Sequence, residues 1–312
     1  MHSSRWFFVG VLILAGAAWG ITQPLAKIAV STGYQHFGLI FWQLALGAVV
    51  LGLIVRIQGK SLPFNARVLP IYVMIAMIGT IIPNSASYQA VVHLPSGLMS
   101  VLLSTVPMLA FPISMALGLD RFSWLRAAGL TIGLMGVLLI VAPDASLPDR
   151  SMVAWVPVAL VAPLCYAFEG NLVARIGLRG LDPVQALAGA SIIGCILSAP
   201  LALGTGQFIV PTLPLGAPDY AHAASALIHA AVYTTYVWLV GRTGPTFAAQ
   251  VSYWVTGFGV FWAILLLGES YSNWVWASVG LMFVGLFLVQ PRRPSTSSEP
   301  HDAQHGLRDT AP

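Results

Sequence analysis

Charge is what this sequence has least of. Only 8% of its 312 residues are Asp, Glu, Lys or Arg, and 57% are apolar, where soluble domains carry about 25% charged residues. So few charges do not solvate the surface of a 33.1 kDa globule, and a mean hydropathy of +0.83 places the outer apolar surface in lipid. Cysteine is nearly absent. Cys165 and Cys195 both fall inside apolar runs, so no disulfide framework is indicated, and no Cys-x-x-Cys pair exists for metal or redox chemistry. Basic clusters are missing as well: the net charge of +4 comes from single Lys and Arg residues between apolar runs, which excludes nucleic acid as a partner. HExxH, GxSxG and paired intramembrane carboxylates are not found, so metal hydrolysis, acyl-enzyme chemistry and aspartyl proteolysis lack their required groups. In "QGKS" at 58–61, Ile54 stands where a phosphate loop needs its first glycine, so this is a loop and not a nucleotide site. No cofactor and no metal are expected.

What is abundant is continuous apolar sequence. Runs at 7–28, 37–55, 69–92, 96–119, 124–142, 152–174, 184–204, 221–240, 246–267 and 273–290 are separated by short polar or Pro/Gly breaks, which predicts ten transmembrane helices. A membrane barrel would show segments of about ten residues alternating in polarity. The basic residues set the orientation. With the N-terminus cytoplasmic, twelve of the fourteen Lys and Arg fall on the cytoplasmic side, leaving Lys27 and Arg150 outside. Both termini are therefore expected in the cytoplasm of a multi-pass cell-membrane protein. The Ser/Pro-rich tail, residues 292–312, reads as disordered.

The sequence also repeats itself. At a lag near 148 residues, "LGLDRFSW" at 117–124 recurs as "LGESYSNW" at 267–274, "GLM" at 133–135 recurs at 280–282, Tyr88 matches Tyr236 and Lys27 matches Arg175. Five helices per copy is an odd number, so the second copy starts on the opposite face. The fold predicted is all-α and polytopic, two inverted five-helix repeats covering 1–144 and 145–291, with substrate between them. Polar side chains fit that geometry. Gln23, Gln43, Asn84 and Gln89 fall in the outer half of the membrane and Glu169, Asn171, Gln185 and Gln250 in the inner half, counting about 1.5 Å per residue.

"AAWGITQPLAK" at 17–27, "LPSGLMSVLLSTVPMLAF" at 94–111 and "LLGESYSNWVWASVGLMFVGLFLV" at 266–289, with the duplicated plan, resemble the drug/metabolite transporter superfamily, in particular its ten-helix members with two EamA domains. The resemblance covers about residues 7–290. It implies a central cavity lined by helices 1, 3, 4, 6, 8 and 9, and export or exchange of small metabolites, amino acids or drugs. On those helices the residues assigned to binding and translocation include Gln23, Asn84, Tyr88, Ser104 and Asn171. The sequence departs from the family where Thr22-Gln23 replaces an Asn after Trp-Gly, and where Asp120 follows helix 4 in place of Glu.

Among the candidates, Glu169 is the only carboxylate well inside a span; such a group is a partner for a substrate ammonium or a proton site, and otherwise a structural pair with a hydroxyl or Arg. His229 shares a helix face with His222, Tyr233 and Tyr236, a stripe that serves either the cavity or packing. Tyr233, Tyr236, Tyr253 and Trp254 would favour a flat substrate by stacking, or simply fill the bundle. Gly129-x-x-x-Gly133 permits close helix contact within one chain, without a dimer. The expected function is a secondary carrier moving a small neutral, zwitterionic or cationic organic solute outwards, with protons as a candidate coupling ion. A channel-like facilitator and an intramembrane enzyme are the alternatives.

Overall fold

The computed structural model describes residues 2–142, 147–243, 248 and 250–289. Among these there is no strand, and ten helical spans follow in order. They are α1 (Trp6–Ala29), α2 (His36–Ile57), α3 (Leu69–His93), α4 (Ser96–Ala116), α5 (Trp124–Val141), α6 (Val156–Ile176), α7 (Pro183–Gly204), α8 (Ala217–Thr243), α9 (Val251–Leu267) and α10 (Asn273–Val289). α1 to α7 are each long and apolar enough to cross a bilayer, α6 together with the 3₁₀ turn Arg150–Trp155 before it. α8 has the length, at 27 residues, but carries more polar side chains. Residues 246, 247 and 249 of the ninth apolar run, residue 290 of the tenth and the tail at 292–312 lie outside the described residues.

Proline explains where the spans of the first repeat deviate from regular helix. A proline at position i cannot donate to the carbonyl at i−4 and its ring crowds that carbonyl. Pro24 acts on Gly20, and α1 is indeed two segments, His2–Gly20 and Thr22–Ala29, with Ile21 between them. Pro107 acts on Leu103, and α4 divides into Ser96–Leu103 and Val106–Ala116. The Thr22, Ser104 and Thr105 hydroxyls donate to carbonyls three residues back, at 2.7 Å each, and so satisfy acceptors at both breaks. Pro83 is preceded by π-helical turns over Ile75–Ile81, one residue wider than α, which absorb the lost bond. The other prolines produce no break: Pro157 sits in the first turn of α6, where a donor is not needed, and Pro112 and Pro163 lie within continuous helix.

Packing follows the inverted repeat. The first helix of each repeat lies against the third and fourth helices of the other: α1 packs on α8 and α9, and α6 on α3 and α4. The second helices, α2 and α7, run antiparallel along each other, and so do the fifth, α5 and α10. In the α5–α10 seam, a Cβ on Gly129 would meet the Gly285 carbonyl at 2.8 Å and one on Gly285 would meet the Gly129 carbonyl at 2.8 Å, so both must be glycine. The glycine spacing in α5 thus serves contact within the chain. Gly118 and Gly268, which the repeat aligns, both take positive φ (70° and 64°) after α4 and α9.

The molecule has two faces, the terminal face, where α1 begins and α10 ends, and the far face opposite it. On the terminal face Lys60 bonds Asp182 at 2.8 Å, and Asp182 caps α7 by accepting from the Val184 and Gln185 amides while the Gln185 side chain returns to the Asp182 amide. Burial raises the Asp182 pKa, but the Lys60 ammonium and the helix amides outweigh it and hold the carboxyl below its ordinary range.

Candidate translocation cavity

Between the two repeats lies a cavity of about 470 Å³, within the range of roughly 300–1,000 Å³ that small-molecule sites occupy. All three irregular stretches of the first repeat face it: Thr22 and Gln23 at the α1 break, Gly79 and Thr80 in the π-helical turns, and Ser104 and Val106 at the α4 break. Broken backbone at membrane depth is tolerated where it lines a polar cavity. The second repeat contributes Tyr166 and Glu169 from α6, Ser225, His229, Tyr233 and Tyr236 from α8, and Ser252 and Thr256 from α9.

Hydrogen bonds join the repeats across this space. The Gln43 side-chain oxygen accepts from Asn84 and from the Tyr88 hydroxyl, each at 3.1 Å, and the Tyr166 hydroxyl of the second repeat donates to the Asn84 oxygen at 3.1 Å. On the other wall, the Trp19 indole N–H donates to His229 Nδ1 at 3.2 Å, and its ring lies 5.8 Å from that of Tyr236. That bond leaves Nδ1 as the acceptor and Nε2 as the proton-bearing nitrogen of a neutral imidazole.

Glu169 is different. Its carboxylate lies against Gly79, where an added Cβ would meet Oε1 at 2.5 Å. Among the described residues it has no hydrogen-bond donor and no cation beside it, and the lining contains neither Lys nor Arg. One acid with no counter-charge therefore faces a cavity whose other lining is neutral: amides, hydroxyls, aromatic rings, the His229 imidazole and aliphatic side chains such as Ile75, Val91 and Leu103.

Of the residues expected from sequence, Gln23, Asn84, Tyr88, Ser104, Glu169, His229, Tyr233 and Tyr236 come together here. Three others do not. The Asn171 amide donates to the Ala110 and Ala167 carbonyls and so joins α6 to α4. Tyr253 stacks on Phe283 of α10, centroids 6.1 Å apart. Trp254 packs against α1 at Gly16, beside Phe258. His222 is buried next to the Tyr88 ring, one shell behind the wall. Trp19, Gln43 and Tyr166 belong to the site without having been among its expected members, though Tyr166, three residues before Glu169, shares its helix face.

The EamA-like transporter family matches this chain twice, over residues 6–142 and 153–290. The chain belongs to that family. The two matches fall on the two five-helix halves, and the family is one of transporters, not enzymes, so a small-molecule substrate and a lipid bilayer are its partners. Inner membrane transporter YedA of Escherichia coli (strain K12), itself uncharacterized, is 25% identical over 295 residues, covering 90% of this chain and 89% of that protein. A Streptantibioticus cattleyicolor protein described as a "Probable terminal-alkyne amino-acid exporter" is 27% identical over 137 residues, 42% of this chain and 44% of its own. A protein crystal structure superposes with a TM-score of 0.62 at 16% identity, over 89% of this chain and 94% of the other, a likeness of fold. This EamA-like chain is a multi-pass membrane transporter.

Proposed function

We propose that this EamA-like protein is a secondary carrier that exports a small organic metabolite, an amino acid, amine or drug-like solute, by alternating access. The repeats at 1–144 and 145–291 are its two moving halves, and the terminal face is cytoplasmic, a reading that the distribution of Lys and Arg supports. The observation that carries this reading is the cavity's single uncompensated carboxylate, Glu169, in a lining with no cation. An ammonium group of a zwitterion or amine gains a partner there, and a phosphate or simple anion meets only repulsion. Trp19, Tyr166, Tyr233 and Tyr236 surround the same space and favour a cationic or flat solute by ring contacts. Size agrees with an amino acid or modest amine. The exporter named among the relatives supports outward direction and an amino-acid class, over 42% of the chain.

The test is transport by the purified protein in proteoliposomes, across amino acids, amines and dyes, with and without a pH gradient. A carrier shows saturation and counterflow: unlabelled solute loaded on one side accelerates entry of labelled solute. Unsaturable flux without counterflow would establish the channel-like facilitator. Acceleration by a pH gradient that disappears in Glu169→Gln would make protons the coupling ion.

A further inference from the structure

The two faces of the cavity are not closed alike. Toward the terminal face the lining reaches Leu187, in the second turn of α7, and Val251, the first residue of α9. Toward the far face α4 and α9 are pressed together, with Ser100 filling the space over Gly259 and the Tyr271 hydroxyl filling that over Gly97. The far segment of α4 packs on α9, whereas its terminal-side segment packs on α6 instead. The cavity lining also reaches Ala26 and Val91 near the far face, so what sets the two faces apart is the α4–α9 contact, made at the far face.

Two charged side chains hold the far face. Lys27, at the end of α1, donates to the carbonyls of Val91, Val92 and Leu94 at 2.6, 3.0 and 3.1 Å, covering the cavity beside its lining residues Ala26 and Val91. Glu269, just after α9, accepts from the Ser96 amide and hydroxyl at 2.7 and 2.9 Å and from the Gly97 amide at 3.1 Å, capping α4 with help from the Tyr271 hydroxyl. The first joins α1 to the end of α3; the second joins α9 to the start of α4. A cation on C-terminal carbonyls and an anion on N-terminal amides are each favoured by the helix dipole as well as by the bonds themselves.

The inverted repeat predicts a counterpart on the terminal face. At the lag of 148 residues Lys27 corresponds to Arg175 and Val91 and Val92 to Leu239 and Val240, at the end of α8. Arg175 has a different described partner. Its guanidinium donates to the Leu117 carbonyl after α4, at 3.0 Å. Near the position of Glu269, Asp120 is paired with Arg126. The corresponding cations are thus held differently, Lys27 on the end of the third helix of its own repeat and Arg175 on the turn after α4 of the other.

We infer that Lys27 and Glu269 are the latch of the far face, and that Arg175 is its exchange partner: when the far face opens, Lys27 leaves α3 and Arg175 moves from Leu117 to the carbonyls of Leu239 and Val240. This rests on the carrier reading and adds residues to it. Neither side chain belongs to the lining of the solute cavity, so their effect is on which face is open.

The test is thiol labelling of Ser104→Cys, deep in the cavity, by a membrane-impermeant maleimide in right-side-out and inverted membrane vesicles, with Cys165 and Cys195 replaced by alanine. In the otherwise native chain labelling is expected from the terminal face. Lys27→Ala and Glu269→Gln should each raise far-face labelling roughly tenfold, the size set by losing hydrogen bonds to a charged group. Lys27→Arg should keep the native pattern, and adding Arg175→Ala to Lys27→Ala should restore it. Unchanged labelling in both latch variants, or an equal loss from both faces, would overturn the latch and leave the carrier standing. Equal labelling from both faces in every form, the native chain included, would overturn the carrier reading itself.

Discussion

The two repeats share one plan and use it differently. In the first, three of the four helices at the cavity are interrupted, at Ile21, at Ile75–Ile81 and at Ser104–Thr105, and only α2, which contributes Gln43, is continuous. In the second, α6 and α8 run unbroken for 21 and 27 residues and α9 is regular throughout its described length. The chemistry is divided the other way. The first repeat supplies amides and hydroxyls that bond one another; the second supplies the carboxylate, the imidazole that faces the cavity and three of its tyrosines. A duplicated fold has placed its deformable backbone in one copy and its ionisable groups in the other, so bending and recognition are separable by mutation.

Substitutions can break or sharpen that division. The largest effect is expected from Glu169→Gln, which should lower kcat/KM for a cationic or zwitterionic solute roughly 10- to 100-fold, as loss of a charge-assisted bond implies. Full retention in proteoliposome uptake would remove the second repeat's claim to recognition. Gly79→Ala comes next. It sets a Cβ against that carboxylate from the first repeat, an overpacking of about 1–3 kcal/mol, and a severalfold rise in KM with unchanged expression would show that one copy shapes the other's binding group.

Pro107→Ala should restore a donor to Leu103 and straighten α4. Turnover is expected to fall a few-fold while the melting temperature of the purified protein does not fall; the reverse result would strip the break of its role in movement. Trp19→Phe deprives His229 Nδ1 of its donor, a change worth about 1 kcal/mol, or roughly fivefold in solute affinity measured by equilibrium binding. The smallest effect concerns the seam between the repeats. Because the folded-state pKa of Asp182 is lowered, its contribution to stability is present above the ordinary carboxylate range and is lost as pH falls through the lowered value. Asp182→Asn should therefore cost about 1 kcal/mol near neutrality and flatten the acid limb of a thermal-stability profile.

Helix number and the inverted repeat were legible in the sequence, because each depends on position along the chain. Azimuth was not. Glu169 faces the cavity, while Asn171 lies two residues further on, about 200° round an α-helix, and meets the Ala110 carbonyl of α4 instead. Ser252 and Thr256 line the cavity where the more conspicuous Tyr253 and Trp254 between them do not. Hydropathy in a membrane helix is high on every side, so periodicity carries little information about which side faces a neighbour. Gln43 was legible as a polar group at depth, but its tie to Asn84 and Tyr88 depends on how α2 meets α3.

The α2–α7 edge carries one more consequence. It is fastened at the far rim, where Gln207 accepts from the Phe37 amide at 3.0 Å and the Trp42 indole donates to the Ile209 carbonyl at 2.9 Å, and again at the other rim through Lys60 with Asp182 and Gln185 with the Ser61 carbonyl. Two rods stitched at both ends behave as the spine of a book: the covers can swing, but no gap forms along the binding. For the proposed carrier, solute is then expected to pass on the page-edge side, between α4 and α9, and not through the spine.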